Sequence, residues 1–147
     1  MSQKAFRKIL VATDGSEPAH KAFAKALALA AVTGAELHAI SVAEGLPRFA
    51  GTQGEVEDYK HRMEEHYRKL GEKLQQEAVK QDVELHVHVQ YGHEIETIVT
   101  FAKKNKFDLM VIGFVGHSNV LKKLMGNWGS TAQNLTRLAP CAVLVVK

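Results

Sequence analysis

The spacing of hydrophobic and polar positions changes several times along this chain, and each change marks an element. Lys8-Ile-Leu-Val-Ala12 is a short, continuous apolar run. A run of that length without alternation predicts a strand covered on both faces, as in a parallel sheet. Asp14-Gly15-Ser16-Glu17-Pro18 interrupts it, with Ser16 placed to cap a helix and Pro18 in the first turn. The alanine-rich stretch 19–33 predicts that helix, and Gly34 its stop. A second strand is expected over 35–43, centred on 37–42. Residues 44–55 hold breakers and no period, which predicts a long loop.

The clearest helix is 56–80. Val56, Tyr59, Met63, Tyr67, Leu70, Leu74 and Ala78 recur every three or four residues and share one face. Over 83–91 the pattern alternates, with Leu85, Val87 and Val89 opposed to Glu84, His86, His88 and Gln90. That predicts a strand near a sheet edge with one face wet, ended by Gly92. Ile95, Ile98, Val99 and Ala102 predict a helix over 94–104. A buried strand follows at 109–112, then a short helix at 130–138 and a last strand at 142–146.

Five strands alternating with crossover segments predict an α/β fold: a five-stranded parallel sheet with helices on both faces, Rossmann-like. Ligands of such sheets bind outside the carboxyl ends of the strands, where the strand order reverses. With the order 3-2-1-4-5, Asp14 after strand one meets Gly113 at the end of strand four.

Composition narrows the picture. At 147 residues, 46% apolar and 24% charged, the chain is expected to form one ordinary globular domain, 1–147. The net charge is +3 and acidic residues are mixed with basic ones, which argues against general nucleic-acid binding. Lys122 and Lys123 are a local exception. Cys141 is the sole cysteine, so no intrachain disulfide forms; a small buried thiol in a reducing compartment is expected. With neither a signal-peptide pattern nor a membrane-length apolar run, a cytoplasmic location is expected.

The chemistry concentrates in the last third. Asp108-Leu-Met-Val-Ile-Gly113 leads through Gly116, His117 and Ser118 to Gly126-Asn127-Trp128-Gly129-Ser130-Thr131. Glycines let a backbone approach a ligand, and small hydroxyl residues at a helix start leave N–H groups for phosphate. Together with Ile9-Leu-Val-Ala12-Thr13-Asp14-Gly-Ser16, this reads as a nucleotide cradle. Plainer readings stand beside it: Gly113 and Gly116 as a turn after a strand, and Asp14 as a turn residue beside Gly15 that steadies the helix start. His86 and His88 have metal-like spacing, but with no third ligand near in sequence they read as a solvated strand face. His61 and His66 align poorly for one metal, and His93-Glu94 lacks the second histidine of a zinc-protease motif. His117 is the one histidine placed at the site, where it would read phosphate charge. No nucleophile set, no Gly-Lys-Ser/Thr phosphate loop and no hydrolase elbow is present. Asp14, Lys122 and Lys123 supply only part of what hydrolysis needs, so slow or no turnover is expected.

These residues resemble the universal stress protein family over nearly the whole chain. The markers are Ile9-Leu-Val-Ala-Thr-Asp14-Gly-Ser, the Gly92 turn, Asp108-Leu-Met-Val-Ile-Gly113 and the tail Ala139-Pro-Cys-Ala-Val-Leu-Val-Val146. The family's nucleotide-binding branch carries Gly, two residues, Gly, nine residues, then Gly with Ser or Thr. Gly113, Gly116 and Gly126 keep that spacing. Asn127 then stands where Ser or Thr is usual, and Gly129-Ser130 lies three residues later, as though Gly126-Asn-Trp128 were inserted. Gly129 and Ser130 are the favoured phosphate contacts, with Gly126 the alternative.

The resemblance implies an ATP site, with ADP or AMP as alternatives. Ala12, Thr13 and Asp14 would line it, Asp14 facing the ribose or a nucleotide-bound Mg. The Val42 backbone would meet adenine. Gly113 and Gly116 would admit the nucleotide, and Gly116, His117, Gly129, Ser130 and Thr131 would surround the phosphates. Family members commonly pair through the last strand, so a homodimer through Ala142–Val146 is expected; an unpaired apolar edge there is also an aggregation hazard. The function implied is a nucleotide-responsive regulatory or stress-resistance module. The alternatives are an interaction protein without nucleotide, regulating a partner, and a slow Mg-dependent ATPase.

Overall fold

The computed structural model describes residues 5–44, 52–114 and 130–147. The elements run β1 (Lys8–Ala12), α1 (Glu17–Thr33), β2 (Glu36–Ala43), α2 (Gln53–Lys80), β3 (Leu85–Tyr91), α3 (Glu94–Lys104), β4 (Leu109–Gly113), α4 (Ser130–Leu138) and β5 (Ala142–Val146). All neighbouring strands are parallel, in the order β3-β2-β1-β4-β5. The expected architecture is the observed one.

Local chemistry sets the helix limits. Ser16 accepts the Ala19 N–H at 3.3 Å, so α1 starts at Glu17, with Pro18 in its first turn. Gly34 closes it in the left-handed region, φ 73°, its N–H donating to the Ala30 carbonyl. The second helix starts at Gln53, three residues before the apolar stripe begins, because Thr52 accepts the Glu55 N–H at 3.1 Å. Of the loop expected over 44–55, residues 45–51 lie outside the described residues, and 52–55 cap and open α2.

Alternate strand residues point to opposite faces, so the core divides into two layers. Ile9, Val11, Leu37 and Val111 meet Phe23 and Leu27 of α1 and Leu74 of α2 on one side. Leu10, Ile40, Met110 and Ile112 meet Ile98 of α3 and Leu135 of α4 on the other. Each large side chain buried this way contributes roughly 1.5–3 kcal/mol.

At the amino end of the sheet, Asp108 ties its centre together. Its carboxylate accepts the Arg7 N–H at 2.8 Å and the Lys8 N–H at 3.0 Å, while its own N–H donates to the Lys8 carbonyl.

Candidate functional site

At the carboxyl end, β1 and β4 part company. The chain leaves β1 toward the α1–α2 face, and β3 crosses to β4 by way of α3 on the opposite face. This reversal of strand order is the crevice in which open parallel sheets hold ligands.

The wall next to β1 is closely fixed. The Thr13 N–H donates to the Ile40 carbonyl at 2.9 Å, and the Ser41 hydroxyl donates to the Thr13 carbonyl at 2.9 Å. Both Thr13 and Ser41 are buried. Asp14 Oδ1 accepts the Ser16 N–H at 2.9 Å, and Gly15 between them has φ +84°, which favours glycine. The plainer reading of Asp14, a turn residue steadying the helix start, is therefore realised. Asp14 thus stands just past the carboxyl end of β1, beside the start of α1.

Helix α2 closes the site from the side. Tyr67 donates its hydroxyl to the Val42 carbonyl at 3.4 Å. Burial, and after it the negative charge of Asp14, pushes the Tyr67 phenol above its ordinary pKa. A side chain on Gly15 would come within 3.7 Å of Leu70 and 4.0 Å of His66. In the sequence Tyr67 is one member of an apolar stripe, and no local signal marks its hydroxyl as reaching the end of β2.

Gly113 has a structural reason of its own. A Cβ there would lie 2.9 Å from both the carbonyl carbon and the oxygen of Pro18. The end of β4 thus presses against the first turn of α1 backbone to backbone.

Of the residues expected at the site, Ala12, Thr13, Asp14, Val42 and Gly113 lie at or just past the carboxyl ends of β1, β2 and β4. Ser130 and Thr131 open α4. A helix joining two parallel strands runs back across the sheet, so α4 begins at that same end. Gly116, His117, Gly126 and Gly129, with Lys122, Lys123, Asn127 and Trp128, lie outside the described residues.

A second cluster occupies the α3 face of β2 and β3, and it corrects the expectation of a solvated strand face at His86 and His88. His38 lies opposite His86 in the register and is 8% exposed. The two rings stack with centroids 4.5 Å apart. His38 Nδ1 and His88 Nε2 are 2.8 Å apart, and His38 Nε2 lies 2.8 Å from Glu36 Oε1. Phe107 meets His38 edge-on, and Phe101 lies over His88. Burial pushes the pKa of His38 and of His88 down; for His38 the Glu36 hydrogen bond opposes it, and for His88 the neighbouring histidines and Lys8 add to it. The hydrogen bond from His38 holds the Glu36 carboxyl below its ordinary range. The alternation in 83–91 was legible, but the partner histidine on β2 is nearly fifty residues away in sequence.

No helix among the described residues is long and apolar enough to cross a membrane.

Comparison with known proteins agrees with the architecture. The family model described as the universal stress protein family matches residues 5–147. A universal stress protein of Methanocaldococcus jannaschii is 32% identical over 147 residues, spanning 99% of this chain and 84% of its own length. The solved structure of universal stress protein UspA from Lactobacillus plantarum superposes with a TM-score of 0.84 at 27% identity, covering 96% of this chain and 97% of that one. A universal stress protein in complex with cAMP shares the fold, with a TM-score of 0.71 at 23% identity over 97% of this chain and 98% of that one. Matched over nearly all its length, and built on the same sheet, this chain belongs to the universal stress protein family.

Proposed function

We propose that this protein binds an adenine nucleotide, ATP in the first instance, in the crevice between the ends of β1 and β4, and acts as a nucleotide-responsive regulatory module. The observation carrying this reading is the convergence there of the Thr13–Ser16 turn, the start of α1 and the end of β4. Family members of the same fold hold cAMP, AMP and dAMP, which supports an adenine nucleotide. The residues fit such a group. The backbone of Val42 offers an edge for adenine, Asp14 a carboxylate for the ribose or for Mg on the phosphates, and the start of α4 at Ser130 and Thr131 N–H groups for phosphate. A bound Mg would screen phosphate charge. Signalling would be a population shift: nucleotide favours one of two states of the protein, and a partner reads the state so favoured. Dimerisation through β5 belongs to the same reading.

The test starts with protein purified without added nucleotide, then denatured, with released ligand identified by mass spectrometry, followed by ATP titration. A near-stoichiometric adenine nucleotide, or saturable ATP binding abolished by Gly116→Val with the fold intact, is the expected result. ATP binding unchanged in Gly116→Val would overturn the cradle. A second reading, an interaction protein without nucleotide, is favoured by one observation: Asp14 and Gly113 both have structural duties in the absence of any ligand. It predicts an empty protein that fails to bind ATP with magnesium. Magnesium-dependent phosphate release abolished by Asp14→Ala would instead point to the slow ATPase.

A further inference from the structure

We infer that Glu36, His38 and His86 form a binding site for a single divalent transition metal of the zinc class, at the end of the sheet opposite the nucleotide crevice. One ligand atom from each residue can be chosen so that all three lie within 4.8 Å of one another. Glu36 Oε1 is 2.8 Å from His38 Nε2 and 3.9 Å from His86 Nε2. Tetrahedral Zn²⁺ with bonds of about 2.0–2.1 Å separates its ligands by about 3.3 Å. The observed spacings straddle that value, so small rotations of Glu36 and His86 would close the site. Both can rotate, since their side chains are 50% and 39% exposed. His38, almost fully buried on the central part of the sheet, is the fixed point.

The donor set suits the ion. Two imidazoles and one carboxylate match the borderline softness of zinc, whereas magnesium and calcium take oxygen ligands. Glu84 Oε1 lies 3.7 Å from His86 Nε2 and can supply a fourth ligand from the rim; otherwise water fills that position. Glu36, Glu84 and His86 line an open groove of about 750 Å³, together with Arg7 and Asp82, so an ion has a route in from solvent.

The hydrogen bonds around His38 show how a cation would be accommodated. An ionised Glu36 oxygen can only accept, so neutral His38 carries its proton on Nε2, and its Nδ1 accepts from His88 Nε2–H. A metal replaces that Nε2 proton. His38 then needs a proton on Nδ1, which it takes from His88 Nε2, and His88 regains one from solvent on its other nitrogen. One proton leaves and one enters, and His88 becomes the outer partner that fixes the ring of His38. One charge opposes the cation: the Lys8 ammonium, facing the cluster from β1, is held by the Asn105 carbonyl at 2.7 Å and over the Phe107 ring. Lys8 therefore tempers the affinity.

Along the sequence His86 has no other ligand of this site nearby except Glu84. Glu36 and His38 come from β2, placed beside it by the parallel pairing His38↔His86. Along β2, His38 and Val42 are four residues apart, about 13 Å at the strand rise, so this site and the crevice are distinct.

The test is calorimetric titration of the intact, untagged chain, stripped with chelator, with ZnCl₂. One equivalent per chain is expected, together with a rise in melting temperature. Glu36→Gln and His86→Gln, both at partly exposed positions, should each weaken binding at least tenfold while far-UV dichroism stays native. His20→Gln, which removes a histidine paired with Glu77 elsewhere, should leave the titration unchanged. Long-range ¹⁵N spectra should show the tautomer exchange at His38 and His88 on addition of zinc. Absence of binding, uptake that survives the Glu36→Gln/His86→Gln double variant, or one ion per two chains would each overturn the proposal.

Discussion

Changing Gly113 to alanine tests the central packing claim, because the same substitution elsewhere in the chain should have the opposite sign. At Gly113 the new methyl would sit 2.9 Å from the carbonyl carbon and oxygen of Pro18, closer than real Cβ atoms come to such neighbours. The obstacle is backbone in the first turn of a capped helix, so it cannot rotate aside as a side chain would. Overpacking of this kind costs about 1–3 kcal/mol. Loss of glycine's freedom in the unfolded chain returns roughly 0.4–1 kcal/mol. The net expectation is a destabilisation of about 1–2 kcal/mol, which for a chain this long lowers Tm by roughly 2–8 °C. In Gly54→Ala the methyl meets nothing within 4 Å, in the exposed first turn of α2. There the helix gains up to about 1 kcal/mol. Urea unfolding followed by circular dichroism on nucleotide-free protein measures both, and at unchanged m the midpoint should fall for Gly113→Ala and rise slightly for Gly54→Ala. An unchanged or higher midpoint for Gly113→Ala would refute the contact as the reason for glycine there and leave ligand approach as its explanation.

Three further outcomes are expected. Ser41→Ala removes the donor to the buried Thr13 carbonyl, so stability should fall by about 1–2 kcal/mol in urea unfolding, and adenine-nucleotide affinity should fall with it. Burial, and after it the charge of Asp108, raises the pKa of the Cys141 thiol, so iodoacetamide near neutral pH should alkylate it several-fold more slowly than in the urea-unfolded chain; equal rates would contradict the burial. Leu144, 37% exposed on edge strand β5, would face a second copy in the proposed dimer, so Leu144→Lys should shift sedimentation toward monomer; a native protein already monomeric at high concentration would remove that proposal.

The legible parts of the fold were those governed by local pattern. The continuous runs at 8–12 and 109–112 read as buried strands because both of their faces are covered, by α1 on one side and by α3 and α4 on the other. Ser16 and Gly34 bounded α1 because capping is a matter of a few neighbouring residues. What escaped depends on chain segments brought together by the sheet. Tyr67 reached the site only because α2 lies across the end of β2. The wet face assigned to His86 and His88 followed from alternation alone, while His38 of β2 and Phe101 of α3 cover part of it. Thr52 moved the start of α2 because a cap lies outside the hydrophobic stripe it serves.

The Asp108 clamp bears on how the chain closes on itself. Its partners Arg7 and Lys8 are a hundred residues earlier, as is Ile9 from its register partner Leu109. By contrast β1, β2 and β3 are joined by successive crossovers through α1 and α2. Long-range pairing carries the larger loop-closure entropy, so among the strand pairings of the sheet the β1–β4 seam closes the longest stretch of chain at the greatest entropic cost. Asp108 latches that seam at one end with three hydrogen bonds, two accepted by its carboxylate from the Arg7 and Lys8 N–H groups and one donated by its own N–H. The crevice is the other end of the same seam. A molecule seated there would bridge the early and late halves of the chain, and would slow their separation as well as deepen the folded state.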